Sequence, residues 1–108
     1  MSEKEFLSQI IEVAHIYHYR VAHFRPAQTS KGWRTPVSAD GKGFPDLVLV
    51  SSSQKRILFI ECKSDTGKLT IQQSNWRQCL LDSGAEYYLW QEGTYTAEHI
   101  AEILREGE

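Results

Sequence analysis

Between Glu3 and Tyr19 apolar residues recur at Phe6, Ile10, Val13, Ala14 and Tyr17, the three-and-four spacing of a helix with one buried face. Ser2 with Glu5 three positions on is a capping box that starts it. Arg20 to Phe24 alternates and then runs into Pro26, which predicts a short strand ended by a residue unable to extend a ladder. Gln28 to Gly43 carries three glycines, Pro36 and small polar residues without periodicity, and reads as a long loop. Leu47 to Val50 and Ile57 to Cys62 are aliphatic runs joined by a polar segment of hairpin length, so two adjacent antiparallel strands follow. Thr70 opens a second helix with Ile71, Trp76, Cys79 and Leu80 on its apolar side, closed by Gly84. Glu86 to Trp90 is a further strand, and Ala97 to Arg105 a last amphipathic helix with Ile100, Ile103 and Leu104 inward. The order helix, three strands, helix, strand, helix predicts an α/β (α+β) fold, a mixed sheet of about four strands covered by helices.

The length of 108 residues fits one compact domain, 1–108, and the 41% hydrophobic and 24% charged residues exclude disordered and fibrous classes. No run approaches the roughly 18 apolar residues of a membrane span, and the opening Met-Ser-Glu-Lys-Glu is unlike a secretory leader, so a soluble, cytoplasmic protein is expected. Cys62 and Cys79 lie in apolar segments with no CxxC pairing, and both are expected to be buried free thiols. The formal net charge of −2 hides an asymmetry. Residues 20 to 68 hold nine basic and four acidic residues, and the rest of the chain holds three basic and ten acidic. A positive field around a few embedded carboxylates suits a polyanionic substrate handled through a metal ion, although a solvated basic loop has the same composition.

Asp46 stands at the mouth of the apolar run Leu47 to Val50, and Glu61 and Lys63 stand at the exit of Ile57 to Cys62. Side chains alternate across a strand, so Glu61 and Lys63 share a face while Cys62 points to the other. In an antiparallel pair the start of the first strand meets the end of the second, so Asp46, Glu61 and Lys63 converge. Two carboxylates this close raise one pKa unless a cation lies between them, and oxygen donors suit Mg²⁺ or Mn²⁺. The lysine beside them can orient a water or stabilise charge growing on a phosphate. Taken singly, Asp46 can be a turn residue, and Glu61 with Lys63 an exposed ion pair worth under about 1 kcal/mol.

At these residues the sequence resembles the PD-(D/E)xK nuclease superfamily, with Pro45-Asp46 and Glu61-Cys62-Lys63 as its motif. The run Lys63 to Thr70, followed by Gln73 and Trp76, looks like the stand-alone, phage-type VRR-NUC branch, although the Val-Arg-Arg run behind that name is absent here. The resemblance implies a restriction-endonuclease-like core and a Mg²⁺ or Mn²⁺ dependent DNA phosphodiesterase. Asp46, Glu61 and the Cys62 backbone carbonyl would be metal ligands and Lys63 the catalytic lysine. It also implies a homodimer that cuts branched DNA such as four-way junctions, at work in a bacterial or phage-infected cell. Members often add an acidic residue from the first helix. Glu12, about 120° from the Phe6 direction, is the candidate here, with Glu5 as runner-up.

Gln73 completes a Thr70-x-x-Gln73 capping box, and in such nucleases a helix glutamine can also serve the catalytic group. Trp76 reads as core rather than as a platform for bases. His15, His18, His23 and His99 show no metal-ligand spacing. His23 and Arg25 lead into the long loop, where Lys31, Arg34 and Lys42 flank Trp33, and Lys68 follows the motif; these are the candidate DNA contacts. A second function class fits the same residues: a nucleic-acid-binding subunit that keeps the fold but cleaves poorly.

Overall fold

The computed structural model describes residues 2–24, 27–30 and 32–105; at 27–29, 33 and 34 only the backbone is described. Helix α1 (Glu3–Ile16) starts at the expected capping box: Ser2 Oγ accepts from the Glu5 N–H at 3.1 Å while the Glu5 carboxylate accepts from the Ser2 N–H. It is followed by β1 (Arg20–His23), β2 (Ala27–Thr29), β3 (Gly32–Arg34), β4 (Leu47–Ser51), β5 (Arg56–Lys63), α2 (Ile71–Asp82), β6 (Glu86–Gln91) and α3 (Ala97–Arg105). The main sheet runs β1-β4-β5-β6, antiparallel except for the parallel β5–β6 pair. The fold is thus the expected mixed four-stranded sheet flanked by helices, consistent with a restriction-endonuclease-like core.

Strand alternation divides the sheet. Leu47, Leu49, Leu58, Ile60, Cys62 and Trp90 point to one face and form a single core with Phe6, Ile10 and Ala14 of α1 and Ile100 and Leu104 of α3. On the other face stand Val48, Val50, Ile57, Phe59, Glu61 and Lys63. There α2 covers the β6 side and leaves Val50 and Ile57 exposed. Among the described residues, no helix is long and apolar enough to cross a membrane.

Two expectations need correction. The segment read as a structureless loop holds the β2–β3 hairpin, registered Ala27↔Arg34, Gln28↔Trp33 and Thr29↔Gly32. Arms of three residues are too short to show a period of two, and the turn depends on Gly32 at φ 101°, a conformation that does not register as hydrophobic pattern. Helix α2 buries Leu80 alone, while Ile71 and Cys79 are exposed, so the expected apolar side is mostly wet. The helix rests on the sheet by one edge, and its other flank meets the loop before β4, where Trp76 Nε1 donates to the Asp40 carbonyl at 2.9 Å. Its end is as read: Gly84 at φ 83° follows the last turn, and the Gly84 and Ala85 N–H groups return to the Leu81 and Leu80 carbonyls.

Candidate active site

The first rung of the β4–β5 ladder is Leu47↔Ile60, so the residues one step beyond it, Asp46 and Glu61, face each other past the end of the pairing. Both lie on the face opposite the core. Asp46 Oδ2 accepts from the Cys62 N–H at 2.9 Å, which ties the carboxylate to the adjoining strand in place of a backbone rung. Because the N–H and C=O of one strand residue point toward the same neighbouring strand, the Cys62 carbonyl is directed to that same mouth. The opposite direction of Lys63 agrees, since its carbonyl accepts from the Glu92 N–H on the β6 side at 3.0 Å.

Four aromatic rings hold this mouth in place. Phe44, two residues before Asp46, meets Phe24, Phe59 and Trp76 edge-on at centroid separations of 5.6, 6.0 and 5.0 Å. The Phe24 N–H also donates to the Asp46 carbonyl at 2.9 Å, so β1 fixes the same residue from its far side.

Glu61 is buried, and Lys63 Nζ lies 4.0 Å from its Oε2. Burial pushes the Glu61 carboxyl well above the ordinary carboxylate range; hydrogen bonding with Asp46 and its charge push the same way, and Lys63 only partly opposes them. The Cys62 thiol is pushed up by burial and by the same two carboxylates, so it stays protonated. Tyr87, beside Phe59 on β6, is raised to about 12 by burial and by the Glu61 charge. The site is therefore short of positive charge. Two carboxylates and a backbone carbonyl are an all-oxygen set, and that shortage is what a hard divalent cation relieves, so the residues present fit Mg²⁺ or Mn²⁺. Among the described residues, no group of three or more His, Cys, Asp or Glu side chains is gathered as a metal cage.

Gln73 closes the capping box and also reaches toward the acidic pair. Its Oε1 accepts from the Thr70 N–H at 2.9 Å, closing the capping box, while its Nε2 reaches Glu61 Oε2 at 3.5 Å. Sequence reasoning missed three neighbours. Glu3 in the first turn of α1 is the helix carboxylate whose charge bears on Glu61 and Cys62. Glu12 is exposed on the outer flank of α1, and Glu5 is tied to Ser2. A helical-wheel angle gives the flank but not the position along the axis, and it is the first turn that lies near the strand mouth. Tyr87 was the second, and the strand alternation that placed Glu61 would have placed it too once the β5–β6 register was known. Gln91 was the third: its Nε2 is within 2.9–3.3 Å of the carbonyls of Ser64, Asp65 and Gly67, which pins the connection leaving Lys63. A lone glutamine at a strand end carries no such signal.

The remaining candidates are scattered. His23 is half-buried at the end of β1, in register with Leu47; Lys42 and Lys68 are exposed on the loops before β4 and before α2. Arg25 and Lys31 lie outside the described residues, as does the Arg34 side chain.

A family model described as VRR-NUC domain matches residues 8–91, a span that includes Asp46, Glu61, Lys63 and Gln73. No curated protein matches the chain. The chain belongs to the VRR-NUC family, a nuclease-associated domain of the PD-(D/E)xK type.

Proposed function

We propose that this VRR-NUC domain is a divalent-metal-dependent DNA endonuclease that hydrolyses phosphodiester bonds in branched DNA, four-way junctions included. The observation that carries the reading is the meeting of Asp46, Glu61 and Lys63 at one strand mouth, with a buried acidic pair that its single lysine does not neutralise. Asp46, Glu61 and the Cys62 carbonyl hold Mg²⁺ or Mn²⁺, which when bound lowers the pKa of water and offsets charge on the phosphate. Lys63 Nζ, next to the pair, orients the attacking water and donates to the phosphate oxygens as their charge grows. Gln73 steadies the Glu61 carboxylate through its amide while its oxygen caps α2. Phe44 and its ring partners keep Asp46 in register with Glu61. Lys42 and Lys68, both exposed, and His23 supply phosphate contacts on the surfaces flanking the sheet. No helix-turn-helix or zinc-finger pattern occurs in the sequence, which favours recognition of the duplex arms by DNA shape.

A homodimer suits a domain with one acidic pair that acts on a branch with several strands. Val50 and Ile57, paired across β4 and β5 and both exposed, offer apolar surface for it. Two free thiols suit a reducing, cytoplasmic compartment. The test is cleavage of linear, flapped and four-way DNA with Mn²⁺, beside Lys63→Ala. Wild-type protein should cut the branched substrates, and the variant should bind them and cut about 10²–10⁴-fold more slowly. Wild-type protein that binds every substrate and cuts none is a binding subunit instead.

A further inference from the structure

Along α2 lies a groove of about 450 Å³ walled by Asp40 and Lys42 on one side and by Gln72, Asn75, Trp76 and Cys79 on the other. That volume falls within the roughly 300–1,000 Å³ of small-ligand sites. Its walls are stitched together at the base. Gly43 at φ 86° runs so close to α2 that an added Cβ would stand 2.6–2.8 Å from backbone and Cβ atoms of Gln72 and Gln73. The Trp76 N–H is committed to the Asp40 carbonyl, so the indole offers the groove its ring surface and no donor. The cleft is therefore preformed, and it begins one residue along α2 from Gln73, which touches Glu61.

Its chemistry selects a ligand. Two primary amides each present a donor and an acceptor, an aromatic surface stands beside them, and a cation stands at the rim. The negative charge of Asp40, a residue of the wall, opposes a phosphate inside the groove, while a carboxylate accepts well from an exocyclic amino group. We propose that the groove takes an unpaired nucleobase of the DNA, stacked against Trp76 and read at its edge by Gln72 and Asn75, with Lys42 on the adjoining phosphate. The identity of the ligand rests on the nuclease reading above. A paired base cannot enter, so the groove favours flaps and opened branch points over intact duplex.

Cys79 supplies a test that needs no mutation. It lines the groove and is exposed while Cys62 is buried, so a maleimide labels one thiol. With hydrolysis stopped by EDTA, saturating single-stranded or flapped oligonucleotide should slow labelling about tenfold, and blunt duplex of equal length should leave it nearly unchanged. Equal protection by blunt duplex, or none from the single strand, overturns the proposal. In a second measurement Gln72→Ala with Asn75→Ala, both exposed on α2 and checked for an unchanged melting temperature, should raise KM for a flapped substrate and spare kcat. An unchanged KM also overturns it. The two readings fail separately: protection without any cleavage by wild-type protein leaves the groove and removes the nuclease, and cleavage without protection does the reverse.

Discussion

Glu61 is where burial and charge conflict most, and its titration has a definite sign. Below the ordinary carboxylate value of 4.5 the group is protonated in folded and unfolded chains alike and favours neither. As pH rises past that value the unfolded chain releases a proton that the folded chain retains, so folding loses stability until pH reaches the raised native value. Metal-free protein should therefore melt lower at pH 8 than at pH 5.5, and Glu61→Gln should flatten that slope. The variant should gain about 1–3 kcal/mol at pH 8 in EDTA, while Mn²⁺ stabilises wild-type protein and no longer stabilises the variant. Melting curves at the two pH values decide it; parallel curves for the two proteins would sink the assignment. The convergence of Asp46, Glu61 and Lys63 was legible because alternation and antiparallel pairing are geometric rules that a sequence carries intact. The influence of the Glu3 charge on Glu61 was not legible, because it depends on how far along the sheet α1 starts. Cys79, expected to be buried, is exposed on the flank of α2 that lines the groove shared with Asp40 and Lys42.

At the level of elements, one amide of α2 links the helix cap to Glu61 of the acidic pair. Gln73→Glu keeps an acceptor for the Thr70 N–H, so the box persists, but it replaces the donor facing Glu61 with a third carboxylate. The expected result is a helix cap worth nearly its full value, weaker metal-free stability at neutral pH, tighter Mn²⁺ binding and slower cleavage. Gln73→Ala should instead cost about 0.5–1.5 kcal/mol from the lost reciprocal bond to the Thr70 N–H, the Thr70 cap itself remaining. Titration calorimetry with Mn²⁺ separates the two; equal affinity in both variants would show that Gln73 serves the helix alone. The capping boxes of α1 and α2 and the span of α3 were readable from sequence because each is local. The β2–β3 hairpin was not, since it has no hydrophobic period, and neither was the exposure of Ile71, which depends on where α2 lies relative to the sheet.

Across the whole molecule, Arg56 ties the sheet to the end of α3. Its guanidinium donates to the Ile103 carbonyl at 2.8 Å, to Tyr19 Oη at 3.0 Å and to Glu86, while Tyr19 Oη donates to the Leu104 carbonyl at 2.7 Å. Burial alone would raise the Glu86 carboxyl, but hydrogen bonds from Arg56 and Tyr88 hold it below its ordinary value. That stability is present above the ordinary carboxylate value and is lost as pH falls through the native one, the reverse of Glu61. Arg56→Met should cost about 2–4 kcal/mol near neutrality, less in acid, and leave kcat unchanged in folded protein. Urea melts at pH 7 and pH 3.5 check it, and a deficit that grows in acid would refute it. Sheet order and helix cover followed from the succession of elements, whereas this long-range knot joins residues up to 85 positions apart and leaves no local trace. The acidic pair occupies a single end of the sheet, so under the proposed function a lone copy would open only one backbone per visit. Supercoiled plasmid carrying an extruded cruciform should accordingly pass through a relaxed circle, with linear product trailing behind and the lag shortening as protein concentration rises.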